Sequence, residues 1–503
     1  MASVDRSKDE CGPAWRHSGC GRRCAPLAAL LAVALGFQAT GCGGAEPTSV
    51  PRSVVLFVLD AARADHFGHA GHVRATTPNA DAFAREAVRY STVVSEAPFT
   101  FLAMASLMSA RSPAESGLSG RSGGRIGESL PLLAEHAREG GFATYAYSEN
   151  PFITGHFGFD RGFDHFEEAF PVAAHGRGHE LAADHDTGAR IEALLDRAAA
   201  KGAEPFFLYL HILRPHNPYA PPAPFAGRFG ADPERRSAGS TAHLLQLDVR
   251  GPPFDADALA DLALRYDENL AYADALFGDF LASLERRGLA SRTIVVLTSD
   301  HGEAFGEHGR LLHSTQLFEP MLRVPLLIRI PGVAPRIDDR PVQHADLGRG
   351  LRAYFAAAHD RDAAAPLARL APERPPDAPL FSWTNAKTHH VAARTPDRKL
   401  VLDARTLEVV AHLDLAADPD EQSAVPLDAH GHRLREGVVE KIAAWTGVPI
   451  ERFDAIASTP AEDEGGKDDE FESEKRTPSS GAAEPELRAR LEALGYVDDR
   501  AVE

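Results

Sequence analysis

Three apolar runs that each lead into a titratable residue constrain this 503-residue chain more than any other feature. Residues 53–59 (SVVLFVL) run into Asp60, residues 205–213 (PFFLYLHIL) lead to His216, and residues 293–299 (TIVVLTS) run into Asp300 and His301. A β-branched and aromatic run without polar alternation belongs to a strand covered on both faces. Residues 143–147 and 324–330 read as further strands. Helical patterns lie between them. One opens at Thr77-Pro78 and covers residues 79–87; a long amphipathic one covers residues 257–287 and stops at Gly288, with Arg286 and Arg287 in its last turn. This alternation predicts an α/β fold, a mostly parallel sheet sandwiched by helices. Ligands of such sheets bind beyond the carboxyl ends of the strands, where these Asp and His residues fall.

The chain is longer than one compact core usually holds. Residues 53–378 read as the main α/β domain. After Ala378 come short strands at 391–393, 399–402 and 409–413 and a helix near 434–445, so residues 379–457 read as a small C-terminal α+β subdomain. Residues 458–484 are acidic and rich in Gly, Pro and Ser, the composition of a disordered linker, and residues 485–503 form a terminal helix and tail. At the other end, Arg22 and Arg23 precede an apolar stretch at 27–37 and then Ala39-Thr40-Gly41-Cys42, which reads as an export signal. The stretch is too short for a spanning helix, which needs about 20 residues. Small residues directly before Cys42 resemble a bacterial lipoprotein signal, with Ala39 where such signals more often carry leucine. That resemblance implies a signal peptide over residues 1–42, a linker over 43–52, and a protein lipid-anchored to the membrane through Cys42. It would sit in the bacterial cell envelope, facing the periplasm or the exterior.

The charge balance is 53 − 72 = −19, and an acid excess of that size opposes the phosphate backbone, so nucleic acid is not an expected partner. The cysteines are Cys11, Cys20, Cys24 and Cys42. Their absence from the body of the chain excludes a disulfide framework, a thiolate zinc cluster and a cysteine nucleophile there.

The strand ends carry the candidate chemistry. Asp300 and His301, followed by Gly302, offer oxygen and nitrogen ligands to one cation of the Mn, Zn or Mg kind; an aspartate there also serves as a helix cap. Asp60 has the same two readings, and ligand is the better one because a doubly buried strand rarely ends on a charge without a partner. Thr100 precedes the apolar run 101–108. It reads either as a helix N-cap or as a nucleophile whose hydroxyl a helix terminus and a divalent cation shift toward alkoxide.

The stretches 55–65 (VLFVLDAARAD), Thr76-Thr77-Pro78-Asn79, 298–303 (TSDHGE), Gly306-Glu307-His308-Gly309, Arg323-Val324-Pro325-Leu326 and 414–419 (DLAADP) resemble, in this order, the sulfatase family of the alkaline phosphatase superfamily. The resemblance runs from about Ser53 to Gln422 and implies an alkaline phosphatase-like fold. The family places its nucleophile ten residues before the end of a Ser-Leu-Leu-Thr-Gly-like segment; here that segment is 106–110 (SLMSA), and counting back reaches Thr100. True sulfatases carry a cysteine or serine there, oxidised to formylglycine within a Cys/Ser-x-Pro/Ala-x-Arg signal. Thr100-Phe101-Leu102-Ala103-Met104 has neither the convertible residue nor the arginine, which rules formylglycine out on chemical grounds and resembles the threonine branches of the superfamily. By the resemblance, Asp60, Thr100, Asp300 and His301 hold a divalent metal ion. Ala61 replaces a second aspartate and His301 a frequent asparagine, departures that favour Mn, Zn or Mg over Ca. His216, in Pro-His-Asn-Pro-Tyr, and His313 correspond to positions facing the transferred group. His211 and His308 are secondary candidates for a second metal.

The leading expectation is a metal-dependent hydrolase or transferase acting through Thr100 on phosphoester or phosphodiester bonds, phosphonates included, of a small-molecule, glycan or lipid substrate. Two alternatives stand beside it: a sulfuric ester hydrolase without formylglycine, and a catalytically silent envelope lipoprotein that binds a polymer or partner. The insertion at 225–255, with Arg228, Arg235 and Arg236, reads either as a specificity loop or as a solvated face.

Overall fold

A computed structural model describes residues 53–118, 125–169, 186–357, 375, 377–384 and 389–446. The expected signal, lipidation site, acidic linker and terminal helix all fall outside these residues. The strands of the main sheet are β1 (Ser53–Asp60), β2 (Val88–Tyr90), β3 (Ala143–Ser148), β4 (His165–Glu168), β5 (Phe206–Pro215), β6 (Thr293–Ser299), β7 (Leu326–Arg329) and β8 (Arg336–Asp338). They lie side by side in the order β8-β2-β7-β6-β1-β5-β3-β4. β1 is central and parallel to both β5 and β6, and β3 and β4 continue the parallel run. β7 alone runs against its neighbours β6 and β2.

Every residue of β1 is buried, which explains its lack of polar alternation. Val54, Leu56 and Val58 face one helix layer, and Val55, Phe57 and Leu59 face the other. The longer helices among the described residues are α1 (Pro78–Ala84), α2 (Thr100–Ser109), α3 (Leu133–Glu139), α4 (Thr187–Ala200), α5 (Thr241–Arg250), α6 (Ala256–Arg286), α7 (His344–Ala356) and α8 (Ala429–Thr446). The first face is covered by α2, α3 and α7, the second by α1, α4 and α6. Fully burying each Val, Leu, Ile or Phe in these layers stabilises by about 1.5–3 kcal/mol relative to leaving it exposed.

The expected helices differ in their ends. α1 stops at Ala84, and Thr77 does not cap it: the Asp274 carboxylate on α6 accepts the free N–H groups of Asn79 and Ala80 at 2.9 and 2.8 Å. α6 begins at Ala256, because the Asp255 side chain accepts from Ala258 N–H at 2.8 Å.

The C-terminal part forms an antiparallel sheet in chain order, β9 (Leu380–Trp383), β10 (His390–Arg394), β11 (Arg398–Asp403) and β12 (Val409–Asp414), with α8 packed on β10 and β11. β9 is the strand the sequence reading lacks. It also joins the sheet to the main body, through Trp383 N–H on Glu96 O at 2.8 Å and Ser382 Oγ on Ser95 O at 2.7 Å.

Candidate active site

The carboxyl ends of β1, β3, β5 and β6 meet in one buried place. The β1 ladder shifts between Leu59 and Asp60, and the next residue, Ala61, takes a left-handed φ of 59°. Such a conformation is strained for a residue with a Cβ. It is held by the Ala61 N–H donating to Asp300 Oδ1 at 2.9 Å and by the Tyr266 hydroxyl donating to Ala61 O at 2.7 Å. Asp300 Oδ1 also accepts His301 N–H at 2.8 Å, and Ser95 Oγ holds the Asp300 carbonyl at 2.6 Å. These bonds turn the Asp60 and Asp300 carboxylates toward each other.

Asp60, Asp300 and His301 are fully buried, with one ligand atom of each within 4.8 Å of the others. His301 Nε2 lies 3.4 Å from Asp300 Oδ2 and 3.9 Å from Asp60 Oδ1. Both of those oxygens are buried without a hydrogen-bond partner among the described residues. His301 Nδ1 stands 2.8 Å from the Gly302 carbonyl, which only accepts, so Nδ1 carries the proton and Nε2 turns a lone pair toward the carboxylates. Two orphaned carboxylate oxygens and an imidazole lone pair fit a divalent cation of intermediate hardness. Burial and the neighbouring Asp300 charge push Asp60 well above the usual carboxylate range. Burial works against the Asp300 charge as well, but His301 and His211 beside it outweigh that and hold Asp300 low.

Thr100 is the first residue of α2, with Phe99 in the non-helical cap position. Its hydroxyl makes no cap. Oγ1 lies 3.2 Å from His301 Nε2 and 3.4 Å from Asn150 Nδ2, so the capping alternative does not hold. His313 and His216 continue outward as adjacent rings, with His301–His313 centroids 4.4 Å apart and His313–His216 centroids 5.0 Å apart. His216 Nδ1 is tied to Asn217 O at 2.7 Å and His313 Nδ1 to Glu303 Oε1 at 3.0 Å. Burial pushes both histidines down, His313 to about 4, and pushes Glu303 up to about 7. All six residues singled out from the sequence thus stand in one cluster.

The sulfatase family model matches residues 52–355, more than half of the chain. This chain belongs to the sulfatase family. An ulvan-active sulfatase of Formosa agariphila is 27% identical over 313 residues, 57% of this chain and 57% of that protein. Arylsulfatase K of Xenopus laevis is 31% identical over 166 residues, 28% of this chain and 30% of that one. The chain therefore spans little more than half the length of the first of these curated relatives and less than a third of the second. Among solved structures, the phosphonate monoester hydrolase of Agrobacterium radiobacter superposes with a TM-score of 0.61 at 21% identity, covering 79% of this chain and 95% of that one, a likeness of fold.

Against the sulfatase family pattern, the structure sorts the remaining motif residues. Arg63 pairs with Asp65 at 2.8 Å and Glu307 at 2.7 Å, so the Arg-Ala-Asp and Gly-Glu-His-Gly motifs meet as framework. His308 stacks on Phe318, with ring centroids 3.5 Å apart. A second His/Asp group, His66, His72 and Asp267, is closed by its own bonds: Asp267 takes His66 at 2.6 Å, His72 at 3.0 Å and Arg74 as well. The insertion is anchored to α6 where Glu268 accepts from Gly227 and Phe229 N–H at 2.9 and 3.0 Å. Arg235 is exposed and pairs only loosely with Asp232 at 3.5 Å, in keeping with a solvated face. Thr241 of the insertion nevertheless reaches Asn217 Oδ1 at 2.7 Å, beside His216.

Two residues next to the carboxylates carry more weight than the sequence reading gave them. Asn150 Nδ2 donates to Asp60 Oδ2 at 2.6 Å, and His211 Nε2 lies 3.3 Å from the same oxygen. His211 leaves a trace in the sequence as the one strongly polar residue inside the apolar run of 205–213. Asn150 leaves its trace only in position, two residues past the end of β3.

Proposed function

We propose that this chain is a metal-dependent ester hydrolase or transferase that uses Thr100 to cleave phosphoester or phosphodiester bonds, phosphonate esters included. The observation that carries this reading is the Thr100 hydroxyl, held at the start of α2 and 3.2 Å from His301 Nε2, beside two orphaned carboxylate oxygens. Asp60, Asp300, His301 and Thr100 would hold the cation, of the Mn, Zn or Mg kind. When bound, a divalent cation lowers the pKa of a bound hydroxyl and offsets charge on phosphoryl oxygens.

The chain's own groups do the rest. Thr100 Oγ attacks phosphorus as the bond to the leaving oxygen breaks, with the free N–H groups of the first turn of α2 facing the developing charge. His216 and His313 are kept neutral by burial, and one of them accepts the Thr100 proton and passes it to the leaving oxygen. Water then displaces threonine from the phosphothreonine, or an acceptor hydroxyl takes the group. A sulfothreonine lacks the geminal hydroxyl by which a formylglycine hydrate expels sulfate, which argues for phosphorus over sulfur. The second reading is sulfate ester hydrolysis at an unmodified threonine, and its sulfate half is supported by the curated relatives, which are named as sulfatases.

Turnover of nitrophenyl phosphate, bis-nitrophenyl phosphate, phenylphosphonate and nitrophenyl sulfate esters by Mn- or Zn-loaded protein separates the two. We expect a phosphorus ester to lead and a phosphothreonine at position 100 to appear by mass spectrometry after a quench. Sulfate turnover above all the others reverses the choice. The same proposal includes export and a lipid anchor at Cys42, for which C42S should lose incorporation of labelled fatty acid.

A further inference from the structure

Asp60 faces the other ligands with one oxygen only. Oδ1 is the orphan; Oδ2 points the other way, takes the Asn150 amide at 2.6 Å and faces His211 Nε2 at 3.3 Å. Asn150 is itself fixed, because its Oδ1 accepts Phe152 N–H at 2.7 Å, which leaves the NH2 end for Asp60. Behind His211, on the same face of β5, the Tyr209 hydroxyl lies 2.7 Å from Nδ1. Tyr209, His211 and Asp60 are 0% exposed and Asn150 is 1% exposed, so bulk water does not reach these bonds. Leu208, Leu210 and Ile212, which alternate with them along β5 and face the other helix layer, are purely apolar. A histidine in that run has to be satisfied where a valine or leucine would need nothing.

The direction of each bond follows from the inventory of donors and acceptors. With a cation held at Oδ1, Asp60 would be ionised and would only accept, so His211 presents Nε2–H to Oδ2. Nδ1 then holds the lone pair, and the Tyr209 hydroxyl donates to it. We propose that Tyr209, His211 and Asn150 form a positioning relay that locks the Asp60 carboxylate, offers Oδ1 alone to a divalent cation, and thereby sets the affinity of the site for that cation. His211 is on this account a positioning residue, since the oxygen it meets already takes the Asn150 hydrogen. The relay rests on the cation site of the proposed function.

The test is Mn2+ titration calorimetry on chelator-stripped protein, wild type against His211→Leu, His211→Gln and Tyr209→Phe, with thermal melting of each metal-free protein beside it. Outer partners of metal ligands typically contribute about 10–100-fold in affinity. His211→Leu should weaken Mn2+ binding by that factor, and Tyr209→Phe, which frees the imidazole to turn its lone pair on Asp60, by about tenfold. His211→Gln keeps an N–H donor and should recover most of the loss. Wild-type affinity in His211→Leu with metal-free melting unchanged overturns the relay, as does a His211→Gln variant no better than His211→Leu. If His211→Leu fails to fold, undiminished affinity in Tyr209→Phe overturns it instead. A wild-type protein that takes up no Mn2+ overturns the cation site and the relay together, whereas uptake by wild type and His211→Leu alike overturns the relay alone.

Discussion

The Thr100 hydroxyl is unusual for what it does not do. A threonine at a helix start normally spends its oxygen on a backbone N–H, but here Phe99 holds the cap position and Oγ1 points at His301 and Asn150. The first turn of α2 keeps its free N–H groups for another acceptor. A valine at this position has nearly the same shape and no nucleophile. T100V should therefore lower kcat by on the order of 10^4-fold while the melting temperature stays close to wild type; T100S should keep turnover within about tenfold. A T100V protein with most of its activity would remove Thr100 from the reaction. The resemblance to the sulfatase family, through its spacing to 106–110, points to Thr100, and strand ends point to Asp60, Asp300 and His301, because the end of a buried strand is a feature of local chain pattern. Asn150 and His211 were harder to read, since their role is defined by a partner at sequence distances of 90 and 151 residues.

At the scale of elements, the doubly buried strands β1, β3, β5 and β6 were legible because a strand covered on both faces has no room for polar residues. β2, β4 and β8 were not: they are three or four residues long and lie toward the sheet edges, and β4 is half-buried throughout, so no uninterrupted apolar run marks them. The C-terminal sheet shows how such short elements are secured. Lys399 on β11 is fully buried, with Nζ 2.7 Å from Glu319 and 2.6 Å from Glu421, and Arg394 on β10 reaches Glu319 at 3.1 Å. Burial opposes the Glu319 charge, but Lys399, Arg394 and Arg323 outweigh it and hold this carboxyl well below its usual range. A depressed carboxyl stabilises the fold above its ordinary pKa of 4.5, and that contribution is lost as pH falls through the lower folded value. K399M removes the cation and leaves Glu421 buried against Glu319. Its expected cost is about 3–5 kcal/mol near neutral pH. The deficit should shrink as pH falls from 7.5 toward 4.5, because the stranded carboxyls, raised by burial once Lys399 is gone, take up protons over that range. Urea unfolding of wild type and K399M at pH 7.5 and pH 4.5 checks this; a deficit that is equal at both values contradicts it.

For the whole molecule, the candidate centre gathers side chains from positions 60, 100, 150, 211, 300 and 301 onto the ends of four strands, so the site exists only when the sheet is complete. Folding must therefore bring two carboxylates together in a place where burial disfavours both charges. A cation that binds the folded chain and not the unfolded one reverses that penalty, and by mass action it adds about 2.7 kcal/mol at a hundredfold excess over its Kd. Stripping the protein with a chelator should lower its melting temperature by several degrees, and Mn2+ or Zn2+ should restore it. Protons compete with the cation for Asp60, whose carboxyl burial and the neighbouring Asp300 charge push up to about 7, so the gap between loaded and stripped protein should narrow as pH is lowered from 8 toward 5. An effect that came only from ions on the acidic surface would instead fade with added salt, because exposed charges are screened and buried ones are not. Melting curves with and without chelator at pH 8, 6.5 and 5, each at low and high salt, distinguish the two. A gap that vanishes in salt and ignores pH would place the cation on the surface, whereas one that persists in salt and closes with acid places it among the buried carboxylates.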